Sequence, residues 1–234
     1  MTYDEVMQSL EKAGSAQYRK IFAKHGAHDP MFGVSWAHMG ILTKRIKRDH
    51  PLALKLWDSG NYDARLLATM IANPDKLTSE TLDRWAKDLD CYPIASAFSK
   101  MVMQSRLAEE KMKDWKSSHY EFVGQAGWDL QAYHAARESA RESEVKKILD
   151  EIEEKIHSAA NRVKHSMVMT LISIGARGGK LKTEALATHK RIGKVEIDHG
   201  DTSCKTPDPK VYIEKMLARK KPKAVSPKTK AASD

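Results

Sequence analysis

The sequence predicts an all-α protein: a curved HEAT/armadillo-like superhelix of antiparallel helix pairs. Three observations favour this fold. Apolar stripes with helical spacing recur along most of the chain. Residues that cap or end helices separate these stripes at short intervals. No run between turn signals has the period-2, β-branched pattern of a strand. The predicted helix pairs recur at roughly 35–45 residues, the spacing typical of such repeats.

The stretch 34–75 contains three consecutive predicted helices. Ser35 is a good N-cap for the first, over 35–46, which has one apolar stripe and one basic side. The second, over 51–59, begins with proline and ends at a Gly-Asn pair. The third, over 62–72, is almost wholly apolar, so we expect it to lie between neighbouring helices.

Similar signals define the rest of the chain. They predict further helices over 3–13, 15–24, 79–86, 91–103, 107–115, 121–137, 142–159, 161–174, 181–189 and 209–217. Residues 1–217 therefore form one helical repeat domain. Residues 218–234 are predicted to be a disordered basic tail, because they hold six basic residues and one acidic residue and little apolar surface.

Composition restricts the class of partner and the compartment. The 234 residues carry a net charge of +9 and a pI near 9.4, which favours nucleic acid as partner over an anionic membrane surface. Two cysteines, Cys91 and Cys204, give no disulfide framework and suggest a reducing cytosol. The longest apolar run, 167–176, is too short to span a bilayer.

Four segments resemble the AlkD-type DNA alkylation repair family, the HEAT-like repeat alkylpurine DNA glycosylases. They are GVSWAHMGILTKRIKRDHPLALKLWDSGNYDARLLATMIANP, LDRWAKDLD, FVGQAGWDLQAY and NRVKHSMVMTLISIG. The resemblance covers roughly residues 20–195. It implies a C-shaped superhelix that holds duplex DNA on its concave side. It also implies a glycosylase that releases positively charged purines such as 3-methyladenine and 7-methylguanine.

The chain departs from the residues that perform this reaction in the family. Active members carry a tryptophan with an aspartate four residues later, and an arginine and a second tryptophan on the two later helices. These positions fall on Tyr92, Ser96, Gln125 and Met169. Because the neutral hydroxyl of Ser96 cannot stabilise a cationic sugar as a carboxylate does, this chain resembles a subgroup that lacks the usual catalytic residues.

Other residues are candidates for the same surface. Asp129 lies one helical turn from Gln125 and is the carboxylate we nominate for a relocated catalytic role; the alternative is a solvated surface acid. Trp85 and Trp128 could stack on DNA, although tryptophans at helical spacing are more often core residues. The candidate phosphate contacts are Lys44, Lys47, Arg48, Arg162 and Lys164.

The tract 196–208 has no role implied by the resemblance. Within nine residues it contains Glu196, Asp198, His199, Asp201 and Cys204. These side chains can ligate zinc, but the paired spacing of a zinc site is missing. We therefore expect a structural loop that precedes the helix over 209–217, and we expect neither a metal nor another cofactor.

Three functions remain open. The first is an alkylpurine DNA glycosylase with a site rebuilt around Tyr92, Trp128 and Asp129. The second is a non-catalytic protein that recognises damaged or distorted DNA by its shape. The third is a protein-binding scaffold. For either DNA function we expect double-stranded DNA as the partner, no membrane, a monomer, and a cytoplasmic location at the nucleoid when DNA is bound.

Overall fold

The computed structural model describes residues 1–220, and the regular structure of this part of the chain is helical. The helices are α1 (Tyr3–Lys12), α2 (Ala16–Lys24), α3 (Trp36–Ile46), α4 (His50–Asp58), α5 (Tyr62–Ile71), α6 (Ser79–Lys87), α7 (Tyr92–Val102), α8 (Ala108–Lys116), α9 (Glu121–Ala135), α10 (Glu142–Lys155), α11 (Asn161–Gly175), α12 (Gly179–Ile192) and α13 (Pro209–Lys220). A 3₁₀ turn, Pro74–Lys76, follows α5. The all-α prediction is confirmed.

Helix boundaries follow the capping residues closely. The Ser35 side chain accepts a hydrogen bond from the His38 N–H at the start of α3. Asn61 accepts from two N–H groups at the start of α5. Helix α13 continues to Lys220, three residues beyond its predicted end, and the rest of the predicted basic tail, 221–234, lies outside the described residues. No helix of the described part is long and apolar enough to cross a membrane.

Helix α9 joins the two halves of the core. Ten of its fifteen residues are buried, and it packs against α7, α8 and α11. Val123 and Leu130 belong to the core of the N-terminal half, whereas Trp128 and Ala135 belong to that of the C-terminal half. Gly127 lets α9 and α8 approach each other closely, because a Cβ atom at this position would lie 2.4 Å from the backbone nitrogen of Lys116, at the end of α8.

A buried carboxylate fixes the loop between α2 and α3. Asp63, on α5, is fully buried. One of its oxygens accepts hydrogen bonds from the Phe32 and Gly33 nitrogens at 2.6 and 3.0 Å. The other accepts from the Val34 nitrogen at 2.8 Å. Since α5 has eight of its ten residues buried, as expected for a sandwiched helix, this carboxylate ties the loop to the middle of the core.

We predict that Asp63→Asn destabilises the fold by about 3 kcal/mol, because an amide offers one acceptor oxygen and turns a donor toward buried N–H groups. Urea denaturation followed by circular dichroism measures the change. The control is Asp75→Asn, at an exposed position of the 3₁₀ turn, where a change within about 0.5 kcal/mol is expected. Equal unfolding midpoints for the two variants would contradict the proposed importance of Asp63.

Candidate nucleic-acid interface

Helices α7, α9 and α11 bring together a cluster of polar side chains. Ser96 comes from α7, Gln125 and Asp129 from α9, and Ser166 from α11. The Gln125 amide nitrogen donates to Ser96 Oγ at 3.1 Å and lies 3.5 Å from Asp129 Oδ2. Ser96 Oγ donates to the same carboxylate oxygen at 3.4 Å, and Ser166 Oγ donates to the other at 2.6 Å. Both oxygens of Asp129 are therefore held by neutral donors.

The environment of Asp129 is unlike that of a surface carboxylate. Burial raises its pKa to about 6, and the hydrogen bonds from Ser166, Gln125 and Ser96 limit this rise. The side chain is only half-buried by area, but the groups around it are protein hydroxyls and an amide. Asp129 is therefore a partly buried carboxylate that protein donors hold, rather than a fully solvated one.

Tyr92 is the centre of a second group beside this cluster. The Arg162 guanidinium lies over its ring, with the carbon 4.0 Å from the centroid. Its hydroxyl is hydrogen-bonded to His25 Nδ1, and its backbone oxygen accepts from Gln125 at 3.1 Å. Burial raises the pKa of the Tyr92 hydroxyl, while the nearby arginine opposes the rise. These contacts connect the end of α2 with α7, α9 and α11.

A groove opens above Ser96, between α3 and α7. Its cavity has a volume of about 580 Å³. The lining residues are Trp36, Thr43, Arg48, Thr69, Met70, Tyr92, Pro93, Ser96, Ala97, Lys100, Met101, Gln104 and Tyr133. None of these residues is acidic, and two are cationic. The groove thus combines aromatic and aliphatic walls with positive charge, which suits a nucleic acid.

The segment 193–208 is irregular, as predicted, and crosses toward the N-terminal helices. Asn161 holds it through two hydrogen bonds with the backbone of Asp198, at 2.8 and 2.7 Å. Together with Lys24 and Gly26, at the end of α2, the segment lines a small cavity. No group of three potential metal ligands occurs among the described residues.

The structure contradicts the prediction that Trp85 and Trp128 face DNA. Trp85 is fully buried and stacks in parallel on Trp57, with ring centroids 4.2 Å apart. Trp128 is also buried, and the Lys116 ammonium lies 4.8 Å from its ring centroid. Each indole covers a large apolar area between helices, so both are core residues.

The other nominated residues lie at varied depths. Lys44 and Lys47 are exposed on α3. Arg48 lines the groove and donates hydrogen bonds to the Ala72 carbonyl and the Gln104 side chain. Lys164 is half-buried on α11. Met169 is also half-buried and packs against the C-terminal core, so it is not part of the polar cluster.

Sequence reasoning missed three residues of this surface. Trp36 is 54% exposed on the groove rim, Lys100 lies on the α7 side, and His25 bonds Tyr92. A helical projection of α3 could have identified Trp36, because it falls next to Lys47 and away from the core stripe. The positions of His25 and Lys100 depend on contacts between helices that no local pattern reveals.

The sequence matches the family described as DNA alkylation repair enzyme over residues 6–195. The chain belongs to the DNA alkylation repair family. The four positions that the sequence resemblance predicts to correspond to the usual catalytic set lie on three helices of this family member: Tyr92 and Ser96 on α7, Gln125 on α9 and Met169 on α11.

Relatives of this family member cover nearly its whole length. An uncharacterised protein of Listeria monocytogenes is 28% identical over 227 residues, which are 94% of this chain and 100% of the relative. One of Listeria innocua is 28% identical over 225 residues, covering 94% of this chain and 99% of the relative.

A solved structure is similar over the same extent. It is 28% identical and covers 94% of this chain and 95% of its own, with a TM-score of 0.85. It represents a new family of proteins related to the HEAT-like repeat DNA glycosylases with affinity for branched DNA structures. This similarity confirms the predicted HEAT-like superhelix.

The raised pKa of Asp129 predicts a pH-dependent contribution to stability. Between about pH 4 and 6 the unfolded chain ionises this carboxyl, with a pKa near 3.8, while the folded chain keeps its proton. The contribution of Asp129 to the free energy of unfolding therefore falls as pH rises through this window, by about 3 kcal/mol at most.

Urea denaturation of wild type and Asp129→Asn at pH 4, 5, 6 and 7 tests this. The stability difference between them, wild type minus variant, should decrease from pH 4 to 6 and then level off. A difference that is constant over the whole range would show that the folded-state pKa is ordinary.

Proposed function

We propose that this protein binds branched DNA through the groove between α3 and α7 and the adjoining surface of α11. The observation that carries the proposal is the lining of this groove. It contains an exposed tryptophan and two cationic residues, and none of its lining residues is acidic. The affinity of the similar solved protein for branched DNA supports the same function. Recognition of distorted DNA requires backbone contacts and shape rather than a reactive group.

The polar cluster favours recognition over base excision. A carboxylate that stabilises a cationic sugar must face the place where the charge develops. The resemblance predicts the Ser96 hydroxyl at that place, and both oxygens of the neighbouring Asp129 are engaged by Ser166, Ser96 and Gln125. We infer that the protein acts as a monomer on the duplex arms of its DNA and does not cleave the glycosidic bond.

Excision of alkylated purines is the second candidate, and one observation favours it. Asp129 Oδ2 lies 3.4 Å from the Ser96 hydroxyl, which lines the groove, and with a pKa of about 6 Asp129 is mostly ionised at neutral pH. A shift of the Ser96 side chain would open a path from the groove to this carboxylate.

Binding is tested with a four-way DNA junction and a linear duplex of the same sequence, followed by fluorescence anisotropy at several salt concentrations. We expect tighter binding to the junction and an affinity that falls steeply with salt. Lys47→Gln should lower the slope of log affinity against log salt by about one, because it removes one phosphate contact. Arg45→Gln, on the opposite side of α3, is the matched control and should leave the slope unchanged. Salt-independent or undetectable binding would instead favour a protein-binding scaffold.

Excision is tested by incubating the protein with methylated duplex DNA and quantifying free 3-methyladenine and 7-methylguanine by mass spectrometry. We expect release at the spontaneous rate. If release exceeds it and Asp129→Asn abolishes the excess while DNA binding persists, the second candidate replaces the first.

A further inference from the structure

One side of α3 forms the rim of the groove. Residues 36, 40, 43 and 47 follow one another at helical spacing along this side. Trp36 and Thr43 line the cavity directly. The core side of the helix, with Met39 and Leu42, is buried. The rim therefore consists of residues that the core does not require.

Gly40 occupies a position on this rim where the protein itself has no need of glycine. A Cβ atom added there would meet no heavy atom within 4 Å. Its φ is also not in the left-handed region, since Gly40 is not one of the glycines with positive φ. Alanine in the middle of a helix is more stable than glycine, because glycine loses more conformational freedom on folding. One use of glycine at a position without internal crowding is to let a ligand approach the backbone closely.

Lys47 is the opposite case, a residue other than glycine at a position whose backbone conformation favours glycine. It ends α3 with a φ of 63°, and it is the one non-glycine residue with positive φ in the described part of the chain. Glycine adopts this conformation without the steric cost that a Cβ atom imposes. Strain of this kind is retained mainly at functional positions. Gly40 and Lys47 thus both depart from what stability alone would select, and both lie on the rim.

Trp36 provides a stacking surface at the other end of the rim. More than half of its indole is exposed, at the mouth of a cavity whose floor includes Met70, Ala97 and Met101. Aromatic side chains beside a cationic surface bind unpaired bases by stacking. The cavity volume of about 580 Å³ lies within the range of roughly 300–1,000 Å³ that small-ligand sites have. Arg48 and Lys100 supply charge complementary to a phosphate.

We propose that this groove takes one unpaired nucleotide of a branched DNA, with its base stacked on Trp36 and its sugar–phosphate chain passing over Gly40 toward Lys47. The inference rests on the proposed function. It identifies an unpaired nucleotide as the feature of branched DNA that the protein recognises. The paired arms contact the edges of the groove and the adjoining surface of α11 by their phosphates, whereas the unpaired nucleotide enters the cavity.

Two junctions with identical arms test the proposal with the full-length protein. One is fully paired, and the other has a single unpaired thymidine at the branch point. Wild type should bind the second roughly tenfold more tightly by fluorescence anisotropy. Trp36→Ala should weaken binding to the junction with the unpaired thymidine far more than binding to the paired junction, so that the preference is lost, and Trp36→Phe should keep part of it. The control Ile41→Ala removes an equally exposed apolar side chain of α3 and should change neither affinity.

Gly40→Ala gives two readouts of opposite sign. The midpoint of thermal unfolding should rise by about 3 °C, because the added methyl group favours the helix and meets no neighbour. Affinity for the junction with the unpaired thymidine should fall severalfold, since the methyl group blocks the approach of the DNA backbone. A variant that is more stable and yet binds less tightly cannot have lost affinity through misfolding.

The outcomes separate the two proposals. If wild type binds neither junction, the proposed function fails and this inference fails with it. If wild type binds both junctions equally, or if Trp36→Ala weakens binding to both alike, the nucleotide site is overturned while DNA binding stands. If Gly40→Ala gains stability and keeps full affinity, the path of the DNA backbone over α3 is overturned.

Discussion

The close contact between α8 and α9 at Gly127 is the constraint on which the rest of the structure depends. Together with α7 and α11 on its other sides, this contact buries ten of the fifteen residues of α9, so that polar side chains of α9 have partners on neighbouring helices. Gln125 and Asp129 find them on the two neighbouring helices, in Ser96 and Ser166. The same helix belongs to both halves of the core. The site and the continuity of the solenoid therefore share one physical origin.

The hydrogen bonds of Asp129 keep its negative charge away from the lining of the groove. The sequence resemblance predicts that Ser96 occupies the position at which active family members carry their aspartate. Ser96 supplies a hydroxyl to the lining of the groove, whereas Asp129 of α9, to which that hydroxyl donates, is not a lining residue and has a pKa raised by burial. A phosphate or base in the groove then meets a neutral surface flanked by Arg48 and Lys100 instead of an exposed anion. Such a surface is suited to holding DNA.

The sequence predicts the helices well because their ends are decided locally. Ser35 and Asn61 bond to N–H groups two or three residues away, so the signals are visible in short stretches. The depth of a side chain in a solenoid is not local, because each helix has neighbours on two or three sides. For this reason Trp85 and Trp128, which are predicted candidates for stacking on DNA, lie in the core, while the exposed Trp36 is not among the predicted site residues. Asp129 was chosen from its spacing to Gln125, but its partner Ser166 lies 37 residues away in the sequence.

The carboxylate of Asp63 has a consequence for how the protein comes apart. In a linear array of helical repeats each repeat touches mainly its neighbours, so the ends can open while the middle stays folded. Here the loop after α2 is bound by a side chain from α5, about 30 residues further on, in the most buried part of the N-terminal half. Opening of the first helices must break that link inside the core. The N-terminal end should therefore exchange its amide hydrogens as slowly as the centre, as a single cooperative unit rather than as a fraying terminus.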